Sequence, residues 1–319
     1  MKAAFLDFAT VGSDAVDVTP LRSLTESFEV FDNTSPEDVV PRIDGCDIVY
    51  INKVRLTREI LEQTDVLKLI VLIATGTDNV DLDAAREKGI AVCNIRAYCT
   101  NSVVEHVFAV LLNLSHNIGN YHASVRRGDW QNAVDFCMLG YPIRELSAMT
   151  MGIVGYGELG SHVARVARAF GMTVLIARRP GADASSDDDR IDLDELLGSA
   201  DVISLHCPLT PRTQGLIGRR ELALMKPDAI LINTARGGLV DSAALVAALA
   251  DGTIAGAAID VLTTEPPADG DPVLDYRGDN LIVTPHIAWA TVEARQNAIS
   301  EVARNVESFL NGGSRNRVV

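Results

Sequence analysis

Short apolar, β-branched runs at residues 3–8, 28–32, 47–51, 68–73 and 91–94 alternate with amphipathic stretches. Each run is too short for a helix, and the alternation predicts an α/β domain with a mostly parallel sheet up to about Tyr98. Residues 102–114 then place Val103, Val107, Val110, Leu111 and Leu114 on one face at helical spacing, which predicts a linking helix. Residues 121–149 mix large apolar groups with turn residues and no clear period, and read as a loop packed on something else. From Thr150 six strand-like runs recur, at 152–155, 173–177, 202–205, 229–233, 256–261 and 281–284, with helical segments between most of them. That count suits a doubly wound nucleotide-binding domain. Residues 292–310 are helical again, with Ile299, Val302, Val306 and Phe309 on one side.

Composition narrows the class. A chain of 319 residues exceeds the size at which single cores stop growing, so two domains are expected. Hydrophobic residues make up 47%, yet no apolar run approaches the ~20 residues that cross a bilayer. Residues 1–7 lack the longer apolar stretch of a secretory signal and read as a first strand. The five cysteines are odd in number and form no C-x-x-C pair, which argues against a disulfide framework or a metal site and fits a reducing cytoplasm. A net charge of −15 disfavours nucleic acid and anionic lipid as partners. The run Asp187-Asp188-Asp189 reads as a solvated loop. An anionic substrate then needs locally placed cations, so arginine and lysine after strand ends become informative.

The segment Gly155-Tyr156-Gly157-Glu158-Leu159-Gly160 follows an apolar run and opens a helix whose apolar face is Val163, Val166, Ala167 and Phe170. In that order Gly155 permits a tight turn, Gly157 lets a pyrophosphate approach the backbone, and Gly160 lets the helix pack on its strand. The helix N-terminus faces the anion. At the end of the next strand an NAD-binding unit carries Asp or Glu for the ribose hydroxyls, whereas this chain has Arg178 and Arg179. Two guanidinium groups suit a ribose 2′-phosphate, so NADP(H) is expected to be preferred, with NAD(H) possible.

Three further segments, Asn233-Thr234-Ala235-Arg236, Thr264-Glu265-Pro266 and Pro285-His286, each follow a run that reads as a buried parallel strand. Ligands of open α/β sheets sit outside the carboxyl ends of the strands, so a guanidinium, a carboxylate and an imidazole are expected at one sheet edge. His286 can give a proton to a carbonyl oxygen during reduction and take it back during oxidation. Glu265 would orient the ring and favour imidazolium, and Arg236 would hold a substrate carboxylate. A cofactor loop with a proton-transfer group points to a hydride-transfer enzyme. Singly each residue has a plain structural explanation, as a strand cap or a turn residue.

With these segments the chain resembles the D-2-hydroxyacid dehydrogenases over essentially its full length. The run at 233–238, residues 260–266 and Thr284-Pro285-His286 are similar to that family's signature segments. The resemblance implies that Arg236, Glu265 and His286 are the catalytic set and that Asp260 lies near the nicotinamide carboxamide. It also implies that Thr234, Ala235, Cys207 and Pro208 line the cofactor. The implied fold is α/β, with two Rossmann-like or flavodoxin-like domains built on doubly wound parallel sheets. A cofactor domain at 99–288 would be inserted in a discontinuous substrate domain at 1–98 plus 289–319, with a hinge near Tyr98 and Ala288. The loop at 74–81 looks like the family's carboxylate-binding loop, presenting the amides of Gly76 and Thr77. Its plain alternative is a Gly/Asn turn capped by Asp81 before a helix.

Within the family, Asn52-Lys53-Val54, residues 136–142 and residues 286–290 look like the glycerate dehydrogenase and hydroxypyruvate or glyoxylate reductase branch. Trp289 would border the active site, Lys53 could add a cation, and residues 121–149 resemble the dimerisation arm of a homodimer. Arg178 departs from the acidic residue of NAD-linked relatives. The expected activity is NADPH-dependent reduction of hydroxypyruvate or glyoxylate. Another small 2-keto acid, such as phenylpyruvate or pyruvate, is the enzymatic alternative, and an NAD(P)-sensing scaffold on the same fold is the alternative of a different class.

Overall fold

Strands with no polar alternation are the mark of a sheet covered on both faces, and the computed structural model contains two such sheets. It describes residues 1–12, 15–179, 181 and 189–319; Asp187 and Asp188 of the acidic run lie outside the described residues. The chain divides into two units, Met1–Cys99 with Trp289–Val319, and Thr100–Ala288. Cys99, assigned to the second domain from sequence, belongs to the first unit.

In the first unit β1 (Lys2–Phe5), β2 (Ser27–Val30), β3 (Ile48–Ile51), β4 (Leu69–Leu72) and β5 (Ala91–Cys93) pair in parallel in the order β2-β1-β3-β4-β5. Every residue of β3 and β4 is buried. Successive side chains serve opposite faces. Ile48, Tyr50, Leu69 and Val71 join Ala298, Ile299, Val302 and Val306 of α12 (Val292–Leu310) in one core. Val49, Ile51, Ile70 and Leu72 join Val39, Ile43, Leu61 and Ala84 in the other. These last four come from α2 (Val39–Ile43), α3 (Arg58–Glu62) and α4 (Leu82–Glu87), while α1 (Thr19–Arg22) supplies Leu21 to the first core.

The second unit holds β6 (Thr150–Val154), β7 (Thr173–Ala177), β8 (Arg190–Ile191), β9 (Val202–Leu205), β10 (Ile230–Asn233), β11 (Gly256–Ile259) and β12 (Leu281–Val283). They are parallel, in the order β12-β11-β10-β9-β6-β7-β8, so the direction of winding reverses between β6 and β9. Its helices are α5 (Thr100–His116), α6 (Ile118–Arg127), α7 (Glu158–Ala169), α8 (Leu193–Ser199), α9 (Arg219–Leu224), α10 (Ser242–Ala250) and α11 (Pro272–Asp275).

Five details depart from the sequence reading. A seventh strand, β8, is too short to register as an apolar run. The edge strand β12 is half-buried rather than buried. Residues 118–127 form α6, in which Ser124 is the buried residue, so no apolar period marked it. Beyond α6 three apolar groups are not packed away: Val134, Phe136 and Leu139 are 101%, 90% and 81% exposed. Phe170, expected on the buried face of α7, lies past the helix end, half in solvent, and stacks on Phe108 with ring centroids 5.3 Å apart. Among the described residues no helix is long and apolar enough to cross a membrane.

Candidate active site

The glycine loop leaves β6 at the reversal of strand order, where open α/β sheets bind ligands. Gly155 has φ +99°, and a Cβ there would lie 2.5 Å from the Cys207 amide nitrogen. A Cβ on Gly160 would come 2.0 Å from the Gly155 carbonyl oxygen, so α7 approaches its strand as only glycine permits. Gly157 meets no such obstacle: nothing lies within 4 Å of the position its Cβ would take. It is the N-cap of α7 with no side-chain capping bond, so the first-turn amides remain for an anion. Tyr156 and Glu158 are exposed, Leu159 is half-buried, and Glu158 accepts a hydrogen bond from the Thr100 hydroxyl at 3.2 Å.

Two buried polar atoms at the neighbouring strand ends have no hydrogen-bond partner among the described residues, Thr234 Oγ1 after β10 and His206 Nδ1 after β9. Buried polar groups are ordinarily satisfied. Together with the open face of Gly157 they fit a polar ligand of dinucleotide type. His206 Nε2 lies 2.8 Å from Ser204 Oγ, and burial pushes the ring's pKa down to about 4, so it is neutral near pH 7. Burial likewise pushes the Cys207 thiol up. Pro208 follows and its carbonyl accepts from the Thr213 hydroxyl at 2.7 Å. Sequence reading passed over His206 because a lone histidine beside a strand gives no signal.

Arg178 is already engaged by its neighbours. Its guanidinium donates to Asp192 Oδ1 at 2.5 Å and to the Arg190 carbonyl at 2.8 Å, both on the β8 side. Arg179 beside it is exposed.

At the carboxyl edge of β10 to β12 the three sequence-derived groups follow adjacent strands. Asn233 is fully buried and builds the turn after β10: its Oδ1 accepts from the Ala235 amide at 3.0 Å and its Nδ2 donates to the Arg236 carbonyl at 2.9 Å. Arg236 is exposed in extended backbone, with Nη1 on the Ala235 carbonyl. Its successor Gly237 has no room for a Cβ, which would lie 2.0 Å from the Leu262 carbonyl carbon. Glu265 is oriented by the Leu262 amide, which donates to Oε1 at 2.7 Å, and its Oε2 lies 2.6 Å from His286 Nδ1. The pairing leaves Nε2 of His286 as the ring atom available to a substrate.

His286 has φ +56°, a left-handed conformation that a non-glycine residue adopts only when its surroundings impose it. The surroundings are Asp260. Its carbonyl accepts from the His286 amide at 2.8 Å. Its carboxylate accepts from the Thr284 hydroxyl at 2.6 Å and from the amides of Ile287 and Ala288, each at 2.9 Å. Asp260 is thus a buried brace for the turn that carries the imidazole, a role that its place in the sequence did not announce.

The first unit carries its own strand-end loops. Asp7, buried after β1, accepts from the amides of Asn52 at 2.9 Å, Lys53 at 2.5 Å and Val54 at 2.9 Å. The Lys53 side chain is exposed. Gly76 and Thr77 lie half-buried in the loop after β4, where Asn94 Nδ2 donates to the Thr75 carbonyl at 2.7 Å. Asp81 caps α4 by accepting from the Ala84 amide at 2.8 Å, as in the plain turn reading. Trp289 packs edge-on against Tyr98 at 6.3 Å.

Comparison with known proteins adds to this geometry. A sequence model described as the D-isomer specific 2-hydroxyacid dehydrogenase NAD binding domain matches residues 108–288. A glycerate dehydrogenase of Methylorubrum extorquens is 46% identical over 99% of this chain and 98% of its own length. A hydroxypyruvate reductase of Blautia hydrogenotrophica is 39% identical over 100% and 99% respectively. Among solved structures, an acyclic imino acid reductase in complex with NADPH and D-Arg superposes with a TM-score of 0.86 at 30% identity, covering 100% of both chains.

Proposed function

Because this chain belongs to the D-2-hydroxyacid dehydrogenase family, we propose that it reduces a small 2-keto acid, hydroxypyruvate or glyoxylate, to the corresponding 2-hydroxy acid. The observation that carries this reading is the 2.6 Å pairing of His286 with Glu265 on a turn held by Asp260. A bound nicotinamide supplies the hydride. His286 holds the proton at Nε2 and delivers it to the carbonyl oxygen, while the Glu265 carboxylate fixes the Nδ1–H tautomer and the ring's orientation. Arg236 binds the substrate carboxylate and polarises the reacting carbonyl. Lys53, the amides of Gly76 and Thr77, and Trp289 are the substrate-facing groups of the first unit in this reading. The cofactor is held by residues 155–160, Cys207, Pro208, Thr234 and Ala235.

NADP(H) is the preferred cofactor and NAD(H) is accepted. Support comes from the end of β7, where Arg178 and Arg179 stand in place of a carboxylate. The ion pair with Asp192 keeps Arg178 in a fixed position, and a 2′-phosphate has to share that guanidinium with it. Arg178→Glu is expected to weaken NADPH binding far more than NADH binding, and equal losses overturn this assignment. The exposed Val134, Phe136 and Leu139 are covered by a second copy in a homodimer, since apolar groups of that size clustered on one segment mark an interaction surface. All five cysteines are unpaired, which suits a reducing, cytoplasmic setting.

The deciding experiment follows NADPH consumption with hydroxypyruvate, glyoxylate, pyruvate and phenylpyruvate. Turnover of the first two by wild type, lost in a His286→Ala variant that still binds cofactor, supports the reading. Cofactor binding without turnover of any keto acid favours the scaffold alternative.

A further inference from the structure

The turn at 284–288 is gripped from a second side, by α5, and nothing in the proposed chemistry uses that grip. Thr284 Oγ1 lies 2.6 Å from Asp260 Oδ1 and 3.2 Å from His106 Nε2. A hydroxyl has one proton and a carboxylate only accepts, so the Thr284 proton goes to Asp260 and its lone pair faces His106. His106 is then the donor, through Nε2–H, and the same nitrogen sits 3.8 Å from Asp260 Oδ1. Four residues earlier on the same helix face, Ser102 Oγ donates to the Ala288 carbonyl at 2.7 Å. These groups are shielded: the Asp260 side chain is 1% exposed and that of His106 17%, so water is a poor substitute for either.

We propose that His106 is a positioning residue: acting through Thr284 and Asp260, it holds the His286 turn in the left-handed conformation that aims the imidazole at Glu265. Without the His106 donor the Thr284 hydroxyl can swing from Asp260, one of three donors to that carboxylate is lost, and the strained residue 286 has a route to relax. The ring then drifts from Glu265 and from the orientation in which Nε2 faces the substrate. The inference rests on the reading of His286 as the proton donor.

The test uses the full-length protein with two matched pairs. His106→Gln keeps an N–H donor and His106→Leu removes it; Thr284→Ser keeps the hydroxyl and Thr284→Val removes it with little change of shape. Measured quantities are kcat and KM for keto-acid reduction, the cofactor dissociation constant from nicotinamide fluorescence, the pH at which reduction falls on the alkaline side, and Tm. The Leu and Val variants are expected to lose about tenfold in kcat, the effect of one lost bond to a charged group. Their cofactor affinity stays unchanged, and their pH profile departs from that of wild type. The Gln and Ser variants are expected within about threefold of wild type, since their donors persist. A lowered Tm with wild-type kcat and pH profile in the Leu and Val variants makes the contact merely structural and overturns the proposal. Should His106→Leu not fold, Thr284→Val decides alone. A His286→Ala enzyme that keeps its kcat sinks the proton-donor reading instead, whereas an inactive His286→Ala beside an unaffected His106→Leu sinks only the positioning role.

Discussion

Asp7 in the first unit and Asp260 in the second are both buried carboxylates at the carboxyl ends of parallel strands, and both gather backbone amides from a loop after another strand. Asp7 collects the amides of residues 52–54, whereas Asp260 collects those of Ile287 and Ala288 and adds the Thr284 hydroxyl. The loop at Asp7 is held in position without any left-handed residue at 52–54, while the turn at Asp260 holds His286 at φ +56°. The same device therefore serves two ends. In one unit it fixes the path of a loop, and in the other it maintains a strained residue that carries the chemistry.

The comparison breaks most visibly at the imidazole itself. His286→Ala is expected to lower kcat for reduction by about 10²- to 10⁴-fold, the usual contribution of a positioned acid, with cofactor affinity nearly unchanged. Stopped-flow rates beside a fluorescence titration check this. Next come the two braces. Asp260→Asn and Asp7→Asn each replace an acceptor oxygen with a donor facing amides, and each is expected to cost about 3 kcal/mol of stability by denaturant titration. They differ in kinetics. The Asp260 variant loses kcat at nearly constant KM, and the Asp7 variant raises KM for the keto acid at nearly constant kcat. The opposite split would mean that the two loops have exchanged roles.

A third strand end, at His206, has no carboxylate brace among the described residues and sharpens the contrast. Its ring titrates at about 4 in the fold against an ordinary 6.5, because burial disfavours the charged form. As pH falls the unfolded chain takes up this proton first, so the folded state loses about 3 kcal/mol between pH 6.5 and about 4 and nothing from this group above that window. Unfolding curves at stepped pH, with His206→Gln as the control that lacks this slope, measure it. The smallest effect is expected at Glu265→Gln, which removes the charge beside His286 Nδ1 but keeps an acceptor. Its kcat for reduction is expected to fall by less than about tenfold at unchanged cofactor affinity, read in the same stopped-flow and fluorescence assays. An unmoved kcat would mean that the charge beside Nδ1 adds nothing to the hydrogen bond itself.

Much of this was legible in the chain. The five strand runs of the first unit and the six of the second all became strands, with ends displaced by at most three residues. The glycine spacing at 155–160 sat on a strand, a turn and a helix, as its order required. The helix at 118–127 was missed because a helix whose buried residue is Ser124 leaves no hydrophobic period. The partner of Arg178, Asp192, was not legible, because it follows a two-residue strand that no pattern detects.

What the sequence determined by itself was the set of elements and the residues standing at their ends, because burial on both faces and the geometry of tight turns each leave a local imprint on residue choice. Only the tertiary structure decided which of those ends meet. Glu265 and His286 are 21 residues apart, Asp260 and Ala288 28 apart, and Asp7 and Asn52 45 apart. Each pair exists because two strands lie side by side, and strand neighbours follow from packing the whole sheet rather than from any spacing along the chain.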